Sequence, residues 1–260
     1  MKRILLLLLS VCAQFVAFAQ MEAWDLNGQP GNQVSNNATT SAAGIGTGVL
    51  SRGAGFTASS AAGSISASGW FASATPTTLA DAIANNDYYE FTLPVLAGSI
   101  ASVTSVGVVV RSSGTGPNTA TLRSSVDGFT ADLGTVPITT ASVLNNIPVS
   151  LPGLTGTVTF RLYGYGSGAS GGNPAAGGTF RIGTSVVATD NDVIIAGTVV
   201  QCPSIGATST DPTCAGNDGL INLTVSGGTQ PYTYNWTASN GGSGIVPGQE
   251  DQSGLSAGDY

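Results

Sequence analysis

Between Asp87 and Gly134 the chain reads DYYEFTLPVLAGSIASVTSVGVVVRSSGTGPNTATLRSSVDGFTADLG. Tyr88–Leu93 is aromatic and β-branched. Val103–Val110 places Val106, Val108 and Val110 at alternate positions, and Asn118–Val126 follows a Gly-Thr-Gly-Pro-Asn turn. Successive side chains of a strand point to opposite faces, so this pattern requires half-buried strands joined by turns. A helix cannot use it.

The same punctuation runs along the rest of the chain. Trp24-Asp25-Leu26-Asn27-Gly28 reads as an edge strand and turn, and Gly44–Ser51 and Gly63–Phe71 read as strands, the second ending on an exposed Trp70-Phe71 pair. Thr77–Ala84 is the one helical turn. Asn146–Leu151, Thr157–Tyr165, Thr179–Gly183 and Asp192–Val200 complete a set of roughly nine or ten strands, the number a two-sheet sandwich uses. In Thr157–Tyr165, Val158, Phe160 and Leu162 share one face, with Thr159, Arg161, Tyr163 and Tyr165 on the other. The expected fold is all-β: a jelly-roll-like two-sheet sandwich over residues 20–200, then a partial immunoglobulin-like sandwich over 201–260.

Residues 1–19 read as a secretory signal peptide. Lys2-Arg3 is the positive start, Ile4–Leu9 with Val11–Phe18 is the apolar centre, and Ala17-Phe18-Ala19 is an A-x-A cleavage site. Cys12 is a poor lipidation site, because Val11 precedes it and the apolar run continues beyond it. Leu93–Val110 is apolar, but Pro94, Gly98 and Gly107 break it into strands, so no membrane span is expected. Without the leader, five Arg and no Lys stand against fourteen Asp and Glu. That balance disfavours nucleic acid, whose phosphates need a basic face. A secreted or cell-surface location fits the Gly/Ser/Thr-rich, acidic composition.

The chain contains no His, which removes His-based triads, His general bases and His-ligated zinc. Gly168-Ala169-Ser170-Gly171-Gly172 spells G-x-S-x-G without a base, and reads as a glycine loop. Glu90 with Asp87 is the best carboxylate pair for a glycosidase, and most Asp residues sit at turns, where they bond local backbone. No enzyme is expected. Asp25 with Asn27, and Asp190 with Asp192, offer oxygen ligands at alternate positions near strand ends, a pattern for structural calcium, with a simple Asx turn the favoured alternative. No other cofactor is implied. Trp24, Trp70, Phe71, Tyr163 and Tyr165 offer an aromatic platform for a polysaccharide or cell-surface glycan, against core packing, which is favoured for Trp70. Arg111-Ser112-Ser113 and Arg123-Ser124-Ser125 recur, so Arg111 and Arg123 on adjacent strands would bind a carboxylate ligand, unless Asp127 and Asp132 pair with them. Cys202 and Cys214 can pair with each other in an oxidising compartment.

Two resemblances add to this. The set Trp24-Asp25, Leu50-Ser51-Arg52-Gly53, Ala67-Ser68-Gly69-Trp70, Asn86-Asp87-Tyr88-Tyr89-Glu90-Phe91, Arg111-Ser112-Ser113, Leu122-Arg123-Ser124-Ser125-Val126-Asp127-Gly128-Phe129 and Phe160-Arg161-Leu162-Tyr163-Gly164-Tyr165 is similar to a domain near the N-terminus of exported bacterial surface proteins. It spans about residues 22–200 and implies a surface sandwich with no catalytic residues. Further on stand Asp211-Pro212-Thr213-Cys214-Ala215-Gly216-Asn217-Asp218-Gly219, Ile221-Asn222-Leu223-Thr224-Val225, Gly227-Gly228-Thr229-Gln230-Pro231-Tyr232-Thr233-Tyr234-Asn235-Trp236, and Leu255-Ser256-Ala257-Gly258-Asp259-Tyr260. Over 202–260 this resembles the SprB repeat of Bacteroidota surface adhesins. The resemblance implies alternating strands at Ile221/Leu223/Val225 and Tyr232/Tyr234/Trp236, a Cys214 near a closing Gly-Cys beyond Tyr260, and further repeats in the natural protein. The function expected is an exported, non-catalytic adhesin-like protein; the alternative is a carbohydrate-binding module of a longer secreted enzyme. Mass spectrometry of the exported protein should find Gln20 at its N-terminus. An intact Lys2-Arg3 segment on the exported chain would refute the leader.

Overall fold

The structure, a computed structural model, describes residues 19–70, 78–171, 175–183, 190–213, 216–228 and 230–260. They divide into two compact units at Val199/Val200. Residues 1–18, most of the expected leader and with them Cys12, as well as Phe71 and Cys214, lie outside the described residues.

In the first unit the strands begin with β1 (Ala19–Trp24), β2 (Pro30–Gly31), β3 (Ser35–Asn37), β4 (Thr40–Ser41), β5 (Val49–Arg52), β6 (Thr57–Ala58) and β7 (Ser64–Ser68). Helix α1 (Leu79–Asn85) follows, then β8 (Tyr88–Val95), β9 (Ser99–Ser112), β10 (Pro117–Ser124) and β11 (Gly134–Pro137). The unit ends with β12 (Val143–Leu154), β13 (Gly156–Gly168), β14 (Thr179–Gly183) and β15 (Val193–Gln201), whose last residues begin the second unit. One sheet runs β2-β7-β14-β9-β15-β1-β4, with β12 also on β9 and β6 on β7. The other runs β11-β10-β13-β8-β5-β3. The expected all-β sandwich is present. Its helix is short and stopped at both ends. Thr78 and Asp81 form a reciprocal capping box, and Asn86 closes the helix in the left-handed conformation.

Alternation decides what is inside. Along β8, Tyr89, Phe91, Leu93 and Val95 are buried while Tyr88, Glu90, Thr92 and Pro94 are half-buried. Along β13, Val158, Phe160 and Leu162 face the core as the pattern requires. In β9 the inward set is Ala101 and Val103, then Val106, Val108 and Val110. The phase changes between Val103 and Val106, where the ladder to β12 shifts register, as a bulge does.

The two sheets meet on an aromatic seam. Trp70 stacks on Phe56 at 4.3 Å between ring centres and meets Phe180 edge-on at 4.9 Å. Tyr89 meets Phe180 at 5.3 Å, and Phe91 stacks on Phe160 at 5.5 Å. The polar tips are satisfied: Trp70 Nε1 donates to Ala67 O at 3.0 Å and Tyr89 Oη to Phe180 O at 2.6 Å. Gly164 continues the inward row of β13 where a larger residue would not fit. A Cβ there would lie 2.8 Å from Trp70 Cζ3 and 2.9 Å from Phe180 Cδ1.

One carboxylate is also inside. Glu22 on β1 is fully buried; its Oε1 accepts from Gly48 N at 2.5 Å and Ser41 Oγ at 3.3 Å, and its Oε2 has no partner. Position 48 has to be glycine here, because a Cβ would lie 2.1 Å from Thr92 O and 2.6 Å from the Glu22 carboxylate.

The second unit has β16 (Ser204–Thr210), β17 (Gly219–Ser226) and β18 (Gln252–Leu255) in one three-stranded antiparallel sheet. Ile221 and Leu255 are buried, and Gln252 fills the interior by bonding Val246 N, Val246 O and Gln249 O. The strand expected at Tyr232/Tyr234/Trp236 joins no ladder. Side-chain bonds to loop carbonyls hold this segment instead: Tyr232 Oη to Gly227 O at 2.5 Å and Trp236 Nε1 to Gln249 O at 2.8 Å.

Burial pushes the Glu22 carboxyl from 4.5 up to about 7, and its backbone and hydroxyl donors only partly offset this. The folded chain therefore holds this proton more tightly than the unfolded one. The resulting stability is complete below about pH 4.5 and is lost as the pH rises through about 7. Buried Asp87, also pushed up to about 7, acts in the same direction. The thermal midpoint should be higher at pH 5 than at pH 8, and Glu22→Gln, which keeps an oxygen for Gly48 N, should shrink that difference. An unchanged pH dependence in the variant would refute the assignment.

Candidate functional site

The two calcium candidates, far apart in sequence, meet at one end of the β1/β15 pair, where Trp24 lies opposite Val193. Asp192 is buried; its Oδ2 accepts from Leu26 N at 2.8 Å, and its own amide donates to Trp24 O at 2.7 Å. Asp25 Oδ1 accepts from Asn27 N at 2.8 Å, an Asx turn, and Asn27 and Asp190 are exposed. Among the described residues no group of three or more His, Cys, Asp or Glu side chains could hold a metal ion. Both carboxylates thus have backbone donors to satisfy, which is the role Asp takes at turns.

The aromatic platform is differently placed. Trp24 and Trp70 are fully buried, so Trp70 belongs to the seam and offers no face to a ligand. The core packing favoured for Trp70 is what the fold uses, and the ligand-platform alternative is set aside; a ring of that size contributes more by leaving water. Tyr163 does lie on the outward side of β13, but it is 2% exposed and meets Tyr88 edge-on at 5.3 Å. Arg161 fills the remaining aromatic surface. Its guanidinium lies 4.3 Å from the Tyr88 ring centre and 4.1 Å from that of Phe129, and its Nε bonds Glu90 at 2.7 Å. Tyr165 is half-buried, with its hydroxyl 2.8 Å from that of Thr121. Of the glycosidase candidates, Glu90 is held by Arg161, and Asp87 is buried with its Oδ1 unpartnered. Ser170 of the G-x-S-x-G run donates to Gly114 O at 2.9 Å.

The arginines need a larger correction. Arg111 is on β9 and Arg123 on β10, and these strands belong to different sheets; the turn between them carries the chain across the sandwich. Arg123 is engaged by Asp132 at 2.6 Å and by Phe129 O at 2.9 Å, while Asp127 accepts from Thr130 and Ala131 in its own turn. The residue opposite Arg111 is Arg181 of β14, and opposite Arg181 on β7 is Ser66. Phe180, Ile182 and Val110 beside them face the core, so this row faces outward. The Nε atoms of Arg111 and Arg181 and the Ser66 hydroxyl are buried without a hydrogen-bond partner. Burial and the neighbouring Arg111 charge lower the Arg181 pKa. Sequence reasoning missed Arg181 and Ser66 because nothing local links positions 66, 111 and 181.

Comparison with family models matches residues 206–241 to the SprB repeat. The match covers β17 and the Tyr232–Trp236 segment, and supports a SprB-repeat-containing, surface-associated protein. Comparison with curated proteins finds no match. No described helix is long and apolar enough to cross a membrane. Within the first unit, Asp192→Ala should lower unfolding free energy by about 1–3 kcal/mol, since it leaves the buried Leu26 amide unpaired. Asp25→Ala, which loses a more exposed turn bond, should cost less than about 1 kcal/mol. Equal effects in urea denaturation would remove the distinction.

Proposed function

We propose that this chain is an exported, non-catalytic surface protein whose leader ends at Ala19 and whose β-sandwich modules are presented for attachment. The observation that carries this reading is the SprB repeat at 206–241 following a sandwich unit in one chain. Its mechanism is multivalent: single contacts are weak, and many copies held on one surface act together through raised effective concentration. Attachment of this kind uses no cofactor, and calcium at Asp25, Asn27, Asp190 and Asp192 would serve only to stiffen the strand ends. Cys202 and Cys214 would pair with each other in an oxidising compartment.

A second reading, a carbohydrate-binding module, is favoured by the outward arginine row, in which two like charges face each other and the Nε atoms lack partners among the described residues. The partner in either case is a polysaccharide or cell-surface glycan. Beads coated with the chain from Gln20 to Tyr260 should be retained on immobilised bacterial surface polysaccharides, more strongly than the soluble chain binds, without releasing reducing ends. Loss of retention in EDTA would assign the calcium. Release of reducing ends would overturn the non-catalytic reading, and absence of retention on any polysaccharide would overturn attachment.

A further inference from the structure

Five arginines follow the leader, and three have found acceptors within the chain. Arg52 donates to the carbonyls of Gly31, Gln33 and Ser66, Arg123 pairs with Asp132, and Arg161 pairs with Glu90. Arg111 and Arg181 have neither hydrogen bond nor ion pair among the described residues, although the chain holds fourteen carboxylates. They sit directly opposite each other on neighbouring strands, a like-charge placement that destabilises a sheet. Strands lie about 5 Å apart, so Ser66 on one side and Arg111 on the other both flank Arg181. The Ser66 side chain is 1% exposed, with its hydroxyl unpartnered. Both arginines are only partly buried and so remain within reach of a ligand, while Ser66 beside them is buried.

Two adjacent guanidinium forks with vacant donors match a planar, two-oxygen anion, because Arg binds carboxylate through parallel N–H bonds. Such a ligand would neutralise the like-charge contact between the two facing arginines. The next outward row is Thr179 opposite Ser68, two half-buried hydroxyl residues suited to sugar hydroxyls.

We propose that Arg111 and Arg181, which flank one another beside the buried Ser66, form a binding site for the carboxylate of a uronic-acid glycan. The inference deepens the glycan reading of the sandwich and rests on it. It also replaces Arg123 with Arg181 as the partner of Arg111.

The test is calorimetric titration of the chain with trigalacturonate, its methyl ester, a neutral glucose trisaccharide and a sulfated neutral trisaccharide. Trigalacturonate should bind, and the other three should bind at least about tenfold more weakly, the discrimination expected when a charge-assisted pair is lost. Arg111→Gln and Arg181→Gln should each weaken trigalacturonate binding about tenfold or more, while Arg123→Gln leaves it unchanged. Both variants should stay folded with thermal midpoints no lower than the parent, because each removes a like-charge contact. The site is overturned if the folded chain ignores trigalacturonate, if the methyl ester or sulfated sugar binds as well, or if Arg123→Gln has the same effect. Beads retained on neutral polysaccharide irrespective of Arg111 and Arg181 would refute this site while leaving attachment intact. Absence of any glycan binding would remove both.

Discussion

The sandwich depends on close approach at Trp70. Its indole lies against Phe56 and Phe180, and its approach to β13 requires the missing side chain of Gly164. Interiors are packed to crystal-like density, so a large ring in one layer needs a small residue facing it. The seam then fixes more than its own contacts. Tyr89 Oη bonds Phe180 O, tying β8 of one sheet to β14 of the other, and β14 carries Arg181 two residues before its end. The outward arginine row inherits its position from an inward aromatic one, because residues 180, 181 and 182 alternate faces.

Against that apolar interior, the buried carboxylates are costly. Glu22 has two donors for one oxygen and none for the other; Asp87 has an unpartnered Oδ1. Both carboxyls are pushed up to about 7, so near neutrality each is on the edge of holding a proton. A protonated acid needs far less desolvation than a carboxylate. These groups are tolerated because strand pairing fixes them in place: Glu22 lies between β4 and the Gly48 amide, where only glycine leaves room.

Much of this architecture is legible in the sequence because strand alternation is a local signal. Val106, Val108 and Val110, or Val158, Phe160 and Leu162, declare their inward face within a few residues. What is not local is lost. That Trp70 belongs to the core is legible, but what encloses it is not, since Phe56, Gly164 and Phe180 come from three other segments. The Gly-Thr-Gly-Pro turn after Arg111 suggests a hairpin, yet β9 finds its neighbours in β12, β14 and β15 while β10 joins the opposite sheet. The Tyr232–Trp236 alternation has the period of a strand, and its half-buried residues do alternate, but without a partner edge the period produces only an extended segment.

Charge arrangement separates the long-range behaviour of this chain from its contact behaviour. Fourteen acidic residues against seven basic ones give a field that repels anions at a distance. That repulsion is screened beyond about 8–10 Å at ordinary ionic strength. At contact the balance reverses around Arg111 and Arg181, where two positive charges meet and no carboxylate among the described residues bonds either Nε. An acidic chain could have neutralised this pair with a single Asp or Glu on β7, where Ser66 stands. Serine leaves the positive charge unneutralised and adds another donor, so the local chemistry favours an acceptor that arrives from outside the fold.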